Sequence, residues 1–328
     1  MAKKTTTKWL AVSLHYGEPW EEFLTKAVKP YTDVVLQTGV AERFYFQRSW
    51  QRGPNIRLWF KGSTFIIAKM LRPNLEEHFN QYFDSRPSFV REPAYPSSYP
   101  EEYKWLPNNS VQYFSYRPET HRFGGELEHV IFEKQYQASS ALVLCSLKEK
   151  YTKWTYNEML SSAIKLHLGF AYAMGMDLPE ACRFFTYLSD HWMSHSENTE
   201  RPGAGLSFKK LFELQRKDSV PYHAALWELF KKFEDIDEPA FVNWIKTNAS
   251  TGMELDLALE YGRIKPAAQW ARDNFDLPPK WYFFKELVKR SNNRLGIFNK
   301  NEGFLYYMMA EGLKTISKST TPSFFKMV

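Results

Sequence analysis

Three short segments of the 328-residue sequence contain residue types that could bind or transform an anionic substrate. The first is RFYFQRSWQRGPNIRLWFKG at residues 43–62, where two predicted strands flank a turn at Gly-Pro. Because side chains alternate along a strand, Phe44, Phe46 and Arg48 share one face. An arginine among aromatic side chains needs an anionic partner, so Arg48 and Arg57 are predicted to bind a carboxylate or phosphate. A solvent-facing polar row is the alternative interpretation.

The second segment is PETHRFGG at residues 118–125, between a predicted strand and a predicted helix. Its two glycines permit positive φ and close backbone approach, and the following helix N-terminus offers free N–H groups to an anion. Glu119 and Arg122 bracket the turn, with His121 between them. The pattern fits an anion site or a salt-bridged turn.

The third segment is KELVKRSNNRLG at residues 285–296. Its spacing predicts a helix that ends at Gly296, with Lys285, Lys289 and Asn292 on one face. Cations near a helix C-terminus are favourable, so in isolation this segment fits an ordinary basic helix end.

Other candidate sites are rejected. His191 and His195 have the i, i+4 spacing of a metal site, but no glutamate lies between them and no third ligand is evident. The sequence lacks a phosphate-binding GxxxxGK[ST] loop. The two cysteines have no companion motif and are expected to be buried thiols of a reducing cytosol. No metal is predicted.

The elements that position these segments follow from composition and periodicity. A net charge of +6 would help attract an anionic ligand without demanding nucleic acid, and an aromatic content of 17% predicts ring-on-ring packing in the core. The sequence contains neither an apolar run long enough to span a membrane nor a signal-peptide pattern. Strands are predicted at 9–16, 43–50, 55–61 and 111–116, and helices at 126–149, 155–175, 178–195, 207–217, 221–234, 237–247, 254–272, 279–292 and 302–317.

This order of elements predicts an α+β fold with a mixed or antiparallel sheet. We expect a single domain over residues 1–328, comprising a strand-rich portion (1–123), a mainly helical portion (124–318) and a tail (319–328). A further helical pattern covers 65–83, which Pro73 is expected to kink or break.

Together and in this order, the three segments resemble the elimination domain of class I lanthipeptide dehydratases. That family also includes free-standing thiopeptide-type bacteriocin biosynthesis proteins. The family pattern WFFIRY…GPHIRLR corresponds to FYFQRSW…GPNIRLW here, YEPExxRYGG to YRPETHRFGG, and HMHxNRLG to KRSNNRLG. The resemblance spans nearly the whole chain, and the middle motif is its most specific part.

The resemblance implies a reaction on a ribosomal precursor peptide that carries a leader. A separate glutamylation protein would esterify Ser or Thr with glutamate from glutamyl-tRNA. The elimination domain would then remove the Cα proton and expel glutamate, which leaves dehydroalanine or dehydrobutyrine. The resemblance implies a cytoplasmic enzyme with no metal or organic cofactor and no direct nucleic-acid contact. A homodimer is left open.

Specific residues are carried over by position. Arg57, Glu119 and Arg122 match family residues that act in elimination, and Lys289 stands where the family has a histidine. These four are the predicted catalytic residues. The predicted substrate-binding residues are Arg48, His121, Asn293 and Arg294.

Two departures from the family pattern leave the activity open. Trp59 replaces the second arginine of IRLR, and Lys289 and Ser291 replace the two histidines. Lys289 is the base if burial and its neighbours lower its pKa, or His121 takes over, or the protein has kept the peptide-binding shape without elimination. The alternatives to elimination are a pyridine-forming cycloaddition enzyme on the same fold and a non-catalytic peptide-binding subunit. The retained Glu119 and Arg122 favour elimination.

Overall fold

The structure, a computed structural model, describes residues 6–117, 126–197 and 204–320. Internal contacts divide the chain into two compact units. The first unit comprises Met1–Glu119 and Ser139–Trp154, and the second comprises Thr120–Ala138 and Thr155–Val328. The α+β architecture predicted from the sequence is confirmed.

The first unit is built on a sheet of β1 (Thr7–His15), β2 (Arg43–Ser49), β3 (Asn55–Ser63) and β4 (Ser110–Phe114). The strands lie in the order β2-β3-β1-β4, and neighbouring strands are antiparallel. One helical stretch follows β1 and another follows β3, which gives the strand-helix-strand-strand-helix-strand order of a ferredoxin-like unit. The predicted β2–β3 hairpin is confirmed.

The two helices that connect the strands of the sheet each contain a proline that does not break them. Helix α1 runs through Glu21–Phe23, Leu24–Val28 and Lys29–Gln37, and α2 through Thr64–Ile66, Ile67–Leu71 and Arg72–Ser85, the middle segment of each being a π turn. Of the two outcomes expected at Pro73, a kink or a break, the break does not occur, because the helix continues to Ser85. In α1 the Lys29 N–H reaches the carbonyl of Leu24, five residues back, and Pro30 follows directly. Proline has no backbone N–H, so none is left without an acceptor where the π turn widens the helix, and the helix continues past it.

The sheet has two unlike faces. On the face toward the helices, Leu14 pairs with Ile56 and both are fully buried. Tyr31 of α1 meets Phe60 of β3 edge-on, with ring centroids 6.0 Å apart. The opposite face carries polar and aromatic side chains, including Arg57. The predicted alternation of the hairpin residues is confirmed, and it places Arg57 on the polar face.

The helices that follow β4 begin with α3 (Glu126–Lys150), whose residues are divided between the two units at Ala138 and Ser139. The second unit continues with α4 (Tyr156–Ala173), α5 (Leu178–Glu197), α6 (Ala204–Phe230), α7 (Pro239–Glu260), α8 (Ala268–Asp273), α9 (Lys280–Leu295) and α10 (Lys300–Thr320). Single 3₁₀ turns occur at Glu101–Tyr103, Tyr151–Lys153 and Phe233–Asp235. Among the described helices, none is long and apolar enough to cross a membrane.

Two helices are longer than the sequence predicts. The patterns at 207–217 and 221–234 form one helix, α6, which contains Pro221. His223, Trp227 and Phe230 continue the buried stripe beyond the proline, so packing outweighs the lost backbone hydrogen bond. The predicted 237–247 helix likewise continues to Glu260 as α7.

Helix α9 ends where the sequence predicts. Gly296 has φ of 89°, in the left-handed region that glycine adopts without strain. The N–H of Ile297 donates to the carbonyl of Asn292 at 2.9 Å, which satisfies a carbonyl of the last turn. This turn brings the start of α10 back beside α9.

Candidate functional site

A cleft of about 640 Å³ lies in the second unit between α5, α9 and α10. Its polar lining comes mainly from the last turns of α9 and the first turns of α10. Two amines, Lys285 and Lys289, and two carboxylates, Glu286 and Glu302, line it. The cleft therefore brings together proton acceptors and anion-binding groups in one enclosure.

Lys285 and Lys289 lie four residues apart on α9, so both reach the cleft from one helix face. Burial lowers the pKa of Lys285; the Glu286 carboxylate opposes this shift and the charge of Lys289 adds to it. An amine with a lowered pKa gives up its proton more readily than an exposed lysine does. When charged, the pair can bind a carboxylate.

Glu302 is held by hydrogen bonds on the wall of the same cleft. The Tyr306 hydroxyl donates to Glu302 Oε1 at 2.9 Å, and Asn292 Nδ2 donates to the same oxygen at 3.1 Å. Burial raises the pKa of Glu302, while the two hydrogen bonds and the charge of Lys289 work in the opposite direction. This carboxyl group is thus oriented by its neighbours and is more basic than an exposed glutamate.

Asn292 is in turn fixed by His167 of α4, whose Nε2 lies 2.6 Å from Asn292 Oδ1. Because the amide nitrogen of Asn292 faces Glu302, its oxygen faces His167 and accepts the Nε2–H bond. Burial lowers the pKa of His167 to about 4, so the ring is neutral at pH 7. The result is a continuous hydrogen-bonded path from the core to the cleft.

Of the predicted residues on α9, Lys289 and Asn293 line the cleft. Arg294 is fully buried, and its guanidinium carbon lies 5.3 Å from the ring centroid of Tyr136 on α3. Arg290 approaches the same ring at 5.2 Å. The aromatic face of Tyr136 thus helps stabilise two neighbouring guanidinium groups.

Arg57 belongs to the first unit. Its Nη2 donates to Gln51 Oε1 at 2.8 Å, and its guanidinium carbon lies 5.2 Å from the Phe114 ring centroid. Burial lowers the pKa of Arg57. Trp59, which stands where the family has an arginine, stacks on Tyr45 with centroids 4.8 Å apart. At this position an aromatic cross-strand pair occupies the place of the expected cation.

Arg48 lies on the helix-facing side of the sheet, and its side chain is 4% exposed. Its Nη1 donates to Glu21 Oε1 at 2.8 Å. The anionic partner that the sequence argument required is therefore present within the chain, on α1. A role for Arg48 in substrate binding stays a prediction.

The polar face of the sheet contains a cluster that sequence reasoning missed. His15 Nε2 lies 3.1 Å from Ser13 Oγ, which donates to Asn55 Oδ1 at 2.9 Å. Asn55 Nδ2 donates to the carbonyl of Gly53 at 2.7 Å and so fixes the hairpin turn. Burial, together with two nearby arginine charges, lowers the pKa of His15 to about 4. The alternation of Ser13 and His15 along β1 was the available signal.

The remaining predicted residues, Glu119, His121 and Arg122, lie outside the described residues. The sequence did not single out Glu302 and Tyr306, which line the cleft, or His167, which is buried and linked to them through Asn292. Glu302 and Tyr306 show only an i, i+4 spacing in NEGFLYY, a weak signal by itself. Within residues 6–117, 126–197 and 204–320, no cluster of three or more His, Cys, Asp or Glu side chains could hold a metal ion.

Comparisons with known proteins agree on one fold. The family model described as "Lantibiotic biosynthesis dehydratase C-term" matches residues 9–313. The pyridine synthase TbtD from thiomuracin biosynthesis superposes with a TM-score of 0.76 at 17% identity, over 95% of this chain and 100% of TbtD. TsrL superposes with a TM-score of 0.68 at 15% identity, over 95% and 96% of the two chains.

A third similar structure is the tRNA-dependent lantibiotic dehydratase MibB from Microbispora sp. 107891. It superposes with a TM-score of 0.59 at 16% identity, over 95% of this chain and 28% of MibB. At these identities the structural matches establish the fold alone. No protein of curated function matches the chain by sequence.

Proposed function

The chain belongs to the lantibiotic dehydratase C-terminal family, and from this premise we propose that it is the elimination component of a split dehydratase. The family resemblance drawn from the three motifs is confirmed. The proposed reaction removes glutamate from O-glutamyl Ser or Thr of a ribosomal precursor peptide. A separate glutamylation protein, which uses glutamyl-tRNA, would supply the ester in the cytoplasm.

One observation carries the proposal: the cleft places two lysine amines beside an oriented carboxyl group. Elimination needs a proton acceptor for the weakly acidic Cα–H and positive charge for the enolate-like intermediate and the departing glutamate. The Lys289 amine, as predicted from the sequence, and the Glu302 carboxylate are the two kinds of acceptor in the cleft. Lys285 supplies a further positive charge when protonated.

The reaction balances without a redox partner. The base takes the Cα proton, the electron pair forms the Cα=Cβ double bond, and the Cβ–O ester bond breaks. Glutamate leaves as a carboxylate that needs no proton. The catalytic roles of Arg57, Glu119 and Arg122, and the supporting roles of Arg48, His121, Asn293 and Arg294, stay predictions from the family resemblance.

A cycloaddition enzyme is the competing function. The observation in its favour is that this chain and the pyridine synthase TbtD match over nearly their full lengths. Trp59 and Lys289 also depart from the elimination pattern. Such an enzyme would act on peptides that already contain dehydroalanine, whereas a non-catalytic subunit would bind peptide without changing its mass.

Mass spectrometry of defined peptides tests the proposal. The protein is incubated with a leader-bearing peptide that carries synthetic O-glutamyl serine, with the glutamylation partner present. We expect loss of glutamate to leave dehydroalanine, and we expect Arg122→Ala and Lys289→Gln to slow it at least tenfold. Lys246→Gln, at an exposed position on α7, is the matched control.

Two results would overturn the proposal. Consumption of a bis-dehydroalanine peptide with release of the leader, while the glutamyl ester stays intact, would establish cycloaddition. Tight peptide binding with no mass change in either substrate would establish a non-catalytic subunit.

A further inference from the structure

Building on the proposed elimination, we propose that Glu302 is the catalytic base that takes the Cα proton, with Tyr306 and Asn292 as its positioning residues. Glu302 lines the cleft, and its Oε1 receives hydrogen bonds from both neighbours. Oε2 is the atom assigned to the substrate. The family motif contains no counterpart of this group, so the assignment rests on the geometry of this chain.

The hydrogen-bonded path behind Glu302 fixes its orientation. The neutral ring of His167 donates to Asn292, Asn292 donates to Glu302, and the Tyr306 hydroxyl donates to the same oxygen. Burial raises the pKa of Tyr306 well above its ordinary value, so its hydroxyl stays a donor. A base whose side chain is oriented by other groups is the arrangement that proton abstraction requires.

The charged side chains around Glu302 have a different role from Glu302 itself. Lys289 and Glu286 of α9 act electrostatically on Glu302, and Lys285 lines the same cleft. A carboxylate accepts a proton without first losing one, whereas an ammonium group must be deprotonated before it can act as a base. Glu302 therefore takes the proton, while Lys285 and Lys289 bind the carboxylate of the leaving glutamate. The absent family histidine is then replaced by a residue from another helix, α10.

The step balances in atoms and electrons. Glu302 Oε2 gains the Cα proton and becomes a carboxylic acid, the Cα=Cβ bond forms, and the Cβ–O bond breaks. Water then removes the proton from Glu302 for the next turnover.

The test compares Glu302→Gln with Glu302→Asp in the full chain, supplied with the partner and the O-glutamyl peptide. We expect Glu302→Gln to lower kcat by about 100-fold or more, and Glu302→Asp to keep part of the activity. Binding is measured with an amide-linked analogue that cannot eliminate, and we expect its Kd to change less than threefold. Glu260→Gln, an exposed glutamate at the end of α7, is the control.

A second variant separates positioning from folding. Tyr306→Phe removes a hydrogen bond that lowers the pKa of Glu302, so the acid limb of the kcat/KM profile should move to higher pH. The other ionisable side chains that line the cleft, besides Glu302 and Tyr306, are Lys285, Glu286, Lys289, His191 and Lys300. A merely structural loss would lower activity without moving this limb.

The outcomes distinguish the base from the overall function. If the wild type eliminates glutamate and Glu302→Gln does so within threefold, the base assignment is wrong and the proposed function stands. If Glu302→Gln loses analogue binding tenfold or more, Glu302 is a binding residue instead. If the wild type and every variant leave the ester intact with the partner present, the proposed function is wrong and the base assignment falls with it.

Discussion

Buried charged and polar side chains serve different ends in the two units. In the first unit, Arg48 is paired with Glu21 and lies away from solvent, and Asn55 fixes the turn of its own hairpin. In the second unit, the path from His167 ends at Glu302, on the wall of an open cleft. The contrast teaches that burial with good hydrogen bonds does not by itself mark a functional group. What distinguishes Glu302 is that its path reaches a cavity.

Acidification should give the largest effect, chiefly in the second unit. Burial lowers the pKa of His167 and His223 from 6.5 to about 4 in the folded state. Between these values the unfolded chain binds more protons, so stability is full above about pH 6.5 and is lost as pH falls toward 4. Each histidine contributes about 1.4 kcal/mol per pH unit. Protonation of these two histidines in the unfolded chain should together lower the free energy of unfolding by about 4 kcal/mol between pH 7.5 and pH 5.

Urea unfolding at both pH values measures this loss. A His167→Gln/His223→Gln variant should show a markedly smaller pH slope, whatever its absolute stability. An unchanged slope in the double variant would mean that these two rings do not govern acid sensitivity.

Loss of the buried ion pair in the first unit should come next. Glu21→Ala leaves the guanidinium of Arg48 buried beside Trp20 without its carboxylate, which should cost about 3 kcal/mol. The neighbouring Glu22 pairs with Arg86, but both side chains are about half exposed, so Glu22→Ala should cost less than about 1 kcal/mol. Urea unfolding of both variants compares the two pairs directly. Equal losses of unfolding free energy would mean that the buried pair is no more important for stability than the exposed pair.

A smaller effect is expected beside the cleft. Gly303 follows Glu302, and a Cβ added there would lie 2.4 Å from the ring of Trp192 on α5. Gly303→Ala should therefore cost about 1–3 kcal/mol and displace the first turn of α10. Gly205→Ala, where a Cβ meets only Met193 at 3.5 Å, should be neutral or stabilising. Thermal unfolding ranks the two, and equal melting temperatures would show that the α5–α10 contact is not tight.

Local patterns made the strands, the hairpin and the Gly296 helix end predictable, because each depends on residues close together in sequence. The hydrogen-bonded path through His167, Asn292 and Glu302 could not be predicted in this way. His167 and Asn292 are 125 positions apart, and hydrophobic periodicity does not indicate which helices contact each other. The sequence placed Lys289 at a candidate site through the family motif, and the cleft then supplied its neighbours.

The wide turns of α1 and α2 have a consequence for which residues face the sheet. In α2 every fourth residue is buried: Ile67, Leu71, Leu75, Phe79 and Phe83. In α1 the same spacing is seen at Phe23, Ala27, Tyr31 and Val35. A regular α-helix has 3.6 residues per turn, so a stripe with a spacing of four would gradually rotate around its surface.

A π turn accommodates an additional residue and so corrects part of this angular drift. Helices α1 and α2 therefore share the same geometry, a π turn followed by a buried residue at every fourth position, although their sequences are barely alike. Deleting one residue within either π turn would restore regular helical phase and rotate everything beyond it by about 100°. In α2 this would turn Leu75, Phe79 and Phe83 away from the sheet together.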